Sequence, residues 1–396
     1  MSSLAALARS AEIARLPFLL ASRDGVARNR WLAMGDPQTT HARLLEVLDR
    51  QKLLGDDGML ALDVGLISIG DHFDFGAPHL TAKAIGAEGL RSLRWLAAHP
   101  PDQVVILAGN HDLSRVQELG LETDETFAEA RALALQVFAE ADAGRGSAEL
   151  ERAFVERFPS IATSELARRD YMSFSEEQRA LVQALLVSGR MVVAHAATLP
   201  TGEPVLLTHA GITSRELTML GEPVGAEAIA DALNAFTRNA IERARGAWER
   251  GERLQLDLSP LHVFGREGRE GGGLFYHRPA RPYRPKSDAA WEFFSEAPRR
   301  YDPRSLPQGL VQVCGHSGHK KCRKELDGWV MPSAEYAHGG LRTLAVFGDE
   351  VRYEGTIVLP RPGEATLYLI DAEMNATDPA RYELLPLAAG TVSNSS

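Results

Sequence analysis

The 396-residue chain is short of cysteine, of long apolar runs and of positive charge. Its two cysteines, Cys314 and Cys322, are too few for a disulfide scaffold and fit a reducing, cytoplasmic setting. No stretch reaches the roughly 18 apolar residues of a transmembrane helix, so no membrane partner is expected. Residues 1–20 are interrupted by Arg9, Glu12 and Arg15, which leaves no continuous apolar core for a secretory signal. The net charge of -10 makes nucleic acid an unlikely partner, because that affinity depends on Lys and Arg neutralising phosphates. A small phosphorylated partner stays compatible.

What the chain does contain is a series of polar clusters, each set directly after a short apolar run. Trp31–Met34 leads into Gly35-Asp36-Pro37-Gln38, Leu66–Ile69 into Gly70-Asp71-His72-Phe73-Asp74, and Gln103–Ala108 into Gly109-Asn110-His111-Asp112. Downstream, Val205–Leu207 leads into Thr208-His209-Ala210-Gly211, and Leu310–Val313 into Cys314-Gly315-His316-Ser317-Gly318-His319. Such runs read as buried strands. In open α/β sheets ligands bind outside the carboxyl ends of strands, so the five clusters are expected to converge on one pocket. Asp, Asn and His together make a mixed oxygen and nitrogen ligand set for divalent transition metals. With one carboxylate bridging, two ions about 3.5 to 4 Å apart can clamp the attacking and leaving oxygens of an in-line phosphoryl displacement.

The pattern from Arg30 to Asp112 alternates short apolar runs with helical ones, such as residues 81–98 with Ile85, Leu90, Leu93 and Leu96, which predicts βαβ units and a parallel sheet. Between Leu113 and Ser188 no strong strand run occurs, and Ser175 with Gln178 forms a capping box for a helix over 176–187. Residues 113–188 are therefore expected to be a helical insertion that shapes the site. Residues 191–194 and 205–207 read as a hairpin around Pro200-Thr201-Gly202-Glu203, and 226–250 as a long amphipathic helix. Residues 265–304, rich in Gly, Pro and Arg, read as a long loop, and 341–347, 351–358 and 365–370 as antiparallel strands. The expected division is one domain over 30–374, an N-terminal extension over 1–29, and a surface tail over 375–396.

The order Gly-Asp, Gly-Asp-x-x-Asp, Gly-Asn-His-Asp, His-Ala-Gly and Gly-His resembles the calcineurin-like metallophosphoesterases, in particular their phosphoprotein phosphatase and diadenosine tetraphosphatase branch. The resemblance implies a four-layered α/β/β/α sandwich. It also implies a dinuclear metal-dependent phosphohydrolase in which a metal-bound hydroxide attacks phosphorus in line, with Mn²⁺ first in line as the metal and Fe or Zn as alternatives. Asp36 would ligate the first ion, Asp71 would bridge the two, and Asn110, His209 and His316 would complete the second. His111 would protonate the leaving oxygen, with Asp74 holding its imidazole. A lone Gly-Asp pair does no more than end a strand with a turn; it is the further clusters in family order that favour the metal site. Asp112 is left open between a supporting role and a local turn.

Three departures from the family pattern shape further expectations. The family's Asp-x-His is here Asp36-Pro37-Gln38, so Gln38 would offer a carbonyl oxygen to the first ion, and His319 could supply the missing nitrogen. Cys314, His316, His319 and Cys322 also admit a reading as a compact structural zinc site. The arginine of Gly-Asp-x-x-Asp-Arg-Gly is replaced by Phe75, which moves the expected phosphate clamp to Arg278, with Arg281 as its substitute. A phosphorylated small molecule or phosphoprotein would be the substrate, handled by a phosphomonoesterase or protein phosphatase. The alternatives are a symmetrical dinucleoside polyphosphate hydrolase, suggested by His209-Ala210-Gly211-Ile212, or a catalytically weak binding protein that kept the fold.

Overall fold

The structure is a computed structural model that describes residues 26–282, 295–330 and 339–390. Most of the expected N-terminal extension, parts of the 265–304 loop and the end of the expected tail lie outside the described residues. The strands are β1 (Arg30–Met34), β2 (Val64–Ser68), β3 (Val104–Leu107), β4 (Met191–Val192), β5 (Ala194–Thr198) and β6 (Pro204–Thr208). Four two-residue strands follow: β7 (His262–Val263), β8 (Gly272–Gly273), β9 (Arg278–Pro279) and β10 (Arg300–Tyr301). The last are β11 (Val311–Cys314), β12 (Arg342–Phe347), β13 (Glu350–Glu354), β14 (Ala365–Leu369) and β15 (Leu385–Leu387). The helices that matter here are α1 (His41–Arg50), α2 (Ala82–Ala97), α3 (Asn110–Leu113), α4 (Asp124–Asp142), α5 (Ala148–Arg157), α6 (Glu176–Val187), α7 (Ser214–Met219), α8 (Ala226–Glu249) and α9 (His319–Glu325).

The fold is mixed α/β, with two large sheets. A five-stranded sheet has the order β15-β1-β2-β3-β4, and a six-stranded sheet the order β13-β12-β14-β11-β6-β5. In the first, β1 to β4 run parallel and only β15 is antiparallel. Every residue of β2 and β3 is buried, as expected of parallel strands covered on both faces. Side chains alternate between those faces. Trp31, Ala33, Ile67, Ile69, Val105 and Leu107 point one way and form one buried cluster with Val205, Leu207, Val311, Val313, Tyr368 and Ile370 of the second sheet. Met34, Leu66, Val104 and Ile106 point the other way, into a cluster with Leu44 and Leu48 of α1 and Leu93 and Leu96 of α2. Each such buried aliphatic side chain contributes about 1.5 to 3 kcal/mol. On the second sheet, Leu206 packs with Ile229 and Leu233 of α8, while Leu344, Leu367 and Leu369 pack with Cys322 and Leu326 at α9.

Residues between β3 and β4 are helical, with α4 and α5 gathered around a core of their own that includes Phe127, Phe154, Phe158, Ile161 and Phe174, while α6 joins the main core through Val182, Leu185 and Leu186. The expected capping box is present: the Ser175 hydroxyl accepts from Gln178 N and the Gln178 side chain accepts from Ser175 N. Two segments depart from the sequence reading. The run expected as the first arm of a hairpin is divided at Val193, so that β4 extends the first sheet beside β3 while β5 pairs with β6 in the second. Leu385–Leu387, in the segment expected to be a surface tail, pairs with Trp31 to Ala33 and closes the edge of the first sheet, burying Leu385 and Leu387 between the sheets.

Candidate metal centre

The carboxyl ends of β1, β2, β3, β6 and β11 come together, because β1, β2 and β3 are parallel neighbours in one sheet and β6 and β11 are parallel neighbours in the other. Asp71, His209 and His316 form a buried group in which one ligand atom from each lies within 4.8 Å of the others. The rings of His209 and His316 sit 5.0 Å apart between centroids. Asn110 joins them, its Oδ1 lying 3.1 Å from His209 Nε2.

The backbone that presents these groups is tightly constrained. Asp71, Asp74 and His316 each adopt a φ of 59°, a left-handed conformation costly for a residue with a Cβ and retained only where surroundings enforce it. The enforcement is visible. A Cβ on Gly109 would lie 2.2 Å from Asp71 Oδ1, and one on Gly315 would lie 1.9 Å from Asp36 Oδ1, so both turns need glycine for the carboxylates to fit. Asp112 ties the loops together: its Oδ2 accepts from the backbone N–H groups of Gly109 and Asp71 at 2.9 Å, and its Oδ1 from that of His72 at 3.1 Å. Asp112 thus serves both as a turn residue and as the support of the Asp71 loop.

These residues suit a divalent cation. Metal-bound imidazoles usually donate their second nitrogen to a backbone carbonyl or carboxylate, which fixes ring and tautomer. His209 Nδ1 lies 3.0 Å from Ile69 O, and His316 Nε2 lies 3.0 Å from Tyr276 O, so in each ring the other nitrogen faces the shared space, where His316 Nδ1 also lies 3.5 Å from a terminal nitrogen of Arg278. His209 Nε2 then faces two oxygens, Asn110 Oδ1 and, at 3.4 Å, Asp71 Oδ1. Acceptors on all sides of that nitrogen call for a positive charge among them. Burial disfavours an imidazolium at His209, yet the Asp71 carboxylate outweighs it and raises the group to about 9. Burial likewise disfavours the Asp71 carboxylate, and His209 and His111 hold it low. A metal ion would satisfy the same acceptors without a proton.

The other end of the site is made of oxygen. Both carboxylate oxygens of Asp36 accept from His316 N, at 3.1 and 3.0 Å. Burial and, after it, the nearby Asp371 carboxylate push Asp36 well up from its ordinary value. Gln38 donates its amide nitrogen to Phe73 O and Asp74 O, both at 3.0 Å, which holds the loop after β2 in place. His319 does not join the buried Asp71–His209–His316 group; its Nε2 lies 3.2 Å from Gly340 O. Nor do Cys314, His316, His319 and Cys322 gather as a zinc ligand set among the described residues, with Cys322 Sγ donating to Ser317 O at 3.3 Å.

Beside the buried Asp71–His209–His316 group stands the imidazole of His111, paired with a carboxylate. His111 Nδ1 lies 3.0 Å from Asp74 Oδ2, and its Nε2 is 3.8 Å from Asp71 Oδ2. Asp74 is buried but well supplied with partners: Arg115 reaches its Oδ2 at 2.7 Å, and Ser173 donates to its Oδ1 through N at 3.0 Å and Oγ at 2.6 Å. Burial would favour the neutral acid, yet Arg115, His111 and Ser173 together hold Asp74 below the usual carboxylate range. Burial opposes charge on His111 too, and Asp71 and Asp74 outweigh it and raise the imidazole above its ordinary value. Arg115 and Ser173 had no signal of their own in the sequence. Arg115 lies one turn after His111, and Ser173 reaches the site only through the packing of the helical segment.

Of the two arginines expected to clamp phosphate, Arg278 is at the site and Arg281 is turned away. Arg278 Nε approaches His316 O at 3.4 Å and a terminal nitrogen approaches His316 Nδ1 at 3.5 Å, while Arg281 donates to Asp327 O at 3.2 Å on the surface. Next to the carboxylates lies a cavity of about 230 Å³, whose walls include Asp36, Gln38, Asp74, Phe75, Lys321 and Asp371.

No family model and no curated protein matches the chain. Among solved structures it is similar to a cold-active protein-tyrosine phosphatase of a psychrophilic Shewanella species, at 15% identity and a TM-score of 0.37, covering 92% of this chain and 78% of that one. A second structure of a cold-active protein-tyrosine phosphatase matches at 14% identity and a TM-score of 0.34, covering 92% of this chain and 76% of that one. Likeness at that level carries no argument, and the functional reading rests on the residues themselves.

Proposed function

We propose that the chain is a dinuclear metal-dependent phosphoester hydrolase of the metallophosphoesterase type, acting as a phosphomonoesterase or protein phosphatase. The observation that carries this reading is the pairing of two features: a buried Asp71–Asn110–His209–His316 set, with each imidazole anchored to a carbonyl, and a His111–Asp74 dyad at its edge. The corresponding architecture is a four-layered α/β/β/α sandwich with a helical cap over 113–188, supported by the cluster shared between the two sheets and by the helices packed on their other faces. The two unpaired, buried cysteines support a reducing compartment such as the cytoplasm.

Asp71, Asn110, His209 and His316 would hold one ion and share Asp71 with a second at Asp36. Bound divalent ions, Mn²⁺ foremost, would neutralise charge that develops on the phosphoryl oxygens of an in-line displacement. The chain's own contribution lies in the groups around them. Arg278 offers guanidinium N–H groups to the phosphoryl oxygens. His111, protonated and held by Asp74, gives a proton to the departing oxygen, and Arg115 and Ser173 keep Asp74 charged so that it can do so.

His111→Ala tests this reading. It should retain metal and lose on the order of 10² to 10⁴ in kcat on an alkyl phosphate, whose leaving oxygen needs a proton. The loss should be much smaller on p-nitrophenyl phosphate. Equal losses on both substrates would remove His111 from the role of acid.

A further inference from the structure

Tyr171, Tyr276 and Glu118 form a buried hydrogen-bonded chain that belongs neither to the Asp71–Asn110–His209–His316 set nor to the His111–Asp74 dyad. They come from three separate parts of the sequence. Glu118 follows α3, Tyr171 lies in the helical segment before α6, and Tyr276 sits between β8 and β9. The Tyr276 hydroxyl donates to Glu118 Oε1 at 2.5 Å, and the same oxygen accepts from Gly265 N at 3.2 Å. With its hydrogen committed to Glu118, the Tyr276 oxygen accepts from the Tyr171 hydroxyl. Burial and then the Glu118 carboxylate push both phenols well up, so each keeps the hydrogen it donates. Glu118 Oε2 is buried without a hydrogen-bond partner among the described residues, a desolvation cost that simple core packing would avoid.

The far end of the chain meets the dyad. The ring of Tyr171 stands against the His111 imidazole at 82° between planes and 5.5 Å between centroids. Two residues further on, Ser173 donates to Asp74 through N and Oγ. One short segment of the insertion therefore touches both members of the dyad. It follows a π-helical turn, Leu166–Asp170, closed by a hydrogen bond from Tyr171 N to Leu166 O at 2.7 Å. Such turns are rare and recur at functional sites. The hydrogen bond from His111 Nδ1 to Asp74 fixes one atom of the imidazole and leaves its plane free to swing, whereas a perpendicular aromatic ring restricts that swing.

On the phosphoesterase reading above, we propose that Tyr171 is a positioning residue for the acid: its ring sets the plane of His111 so that Nε2 faces the leaving oxygen, and its hydroxyl, tied through Tyr276 to Glu118, holds that ring in place.

Tyr171→Leu tests this in the full-length, Mn²⁺-loaded protein. It should lose about ten-fold or more in kcat on an alkyl phosphate, the scale on which a displaced reacting group costs rate. On p-nitrophenyl phosphate, whose leaving oxygen needs no proton, the loss should stay below about two-fold. KM for both substrates and metal content should keep their wild-type values. Tyr171→Phe retains the ring and should restore most of the rate, and Tyr276→Phe, which removes the tie, should fall between the two. In a His111→Ala background Tyr171→Leu should cost nothing further, since residues sharing one task are non-additive. Tyr171→Met, of similar reach but without a ring, repeats the test if the leucine variant does not fold. Where His111→Ala shows its uneven loss, equal losses on both substrates in Tyr171→Leu, no loss on either, or a full further loss on top of His111→Ala overturns the positioning role and leaves the phosphoesterase reading standing. Equal losses on both substrates in His111→Ala itself remove the acid and the positioning role with it.

Discussion

The two ends of the site are built on different principles. At the nitrogen end, His209 and His316 each have one ring nitrogen fixed to a backbone carbonyl, and Asn110 and Asp71 face what is left. At the oxygen end, burial and the Asp371 carboxylate raise Asp36, and burial raises Asp371. The first end has the donor set a transition metal would use; the second gathers negative charge that a hard cation would relieve. On the proposed reading, the difference teaches that having Gln38 where the resembled family has the histidine of Asp-x-His need not abolish a two-ion site. It would make one half suit a harder ion.

The largest expected effect comes from breaking the preorganised half. His209→Ala should leave the protein with about one metal ion per chain or fewer and no measurable phosphatase turnover, whereas Asp36→Ala should lower metal content but keep the nitrogen-end ion. Elemental analysis of both variants distinguishes the two ends; equal metal loss in each would mean that the halves do not bind independently.

Next in size is the support of the acid. Arg115 and Asp74 form a fully buried pair, and removing one partner of such a pair costs about 3 to 5 kcal/mol because the other charge is left uncompensated. Arg115→Met should therefore lower the denaturation midpoint and, through Asp74, weaken the hold on His111. Wild-type stability in this variant would show that Asp74 relies on Ser173 and His111 alone.

A smaller effect sharpens the comparison through pH. Metal-free His209 is raised to about 9, so below that pH it carries a proton that an incoming ion must displace. Mn²⁺ affinity should rise with pH by up to about ten-fold per unit between roughly 6 and 8.5, then level off near 9. In His209→Gln that slope should be lost. An affinity independent of pH in the wild-type protein would contradict the assigned protonation.

How much of this was legible beforehand depended on whether a residue's place follows from the chain or from contacts across it. Asp71, Asn110, His209 and His316 could be found because each directly follows a strand, and parallel neighbours must deliver their carboxyl ends to the same side. Arg278, expected near the site because Phe75 replaces the resembled family's arginine, does lie against His316. His319 illustrates the limit: three residues after a ligand candidate it lies at the start of α9, and the helix turns its ring toward Gly340. Arg115, Ser173 and Lys321 were not legible, since an arginine, a serine and a lysine on polar helical segments look like solvated surface until packing brings them to the carboxylates. The split of 191–198 between two sheets was equally hidden, because alternation identifies a strand but not the sheet it joins.

The central claim is that phosphoester hydrolysis here depends on bound divalent metal. The direct measurement is p-nitrophenyl phosphate turnover by chelator-treated protein as Mn²⁺ is titrated back, with metal content followed in parallel. Turnover should vanish on chelation and return as content approaches about two ions per chain. Turnover that survives complete metal removal, or that fails to appear in folded protein carrying both ions, would contradict it.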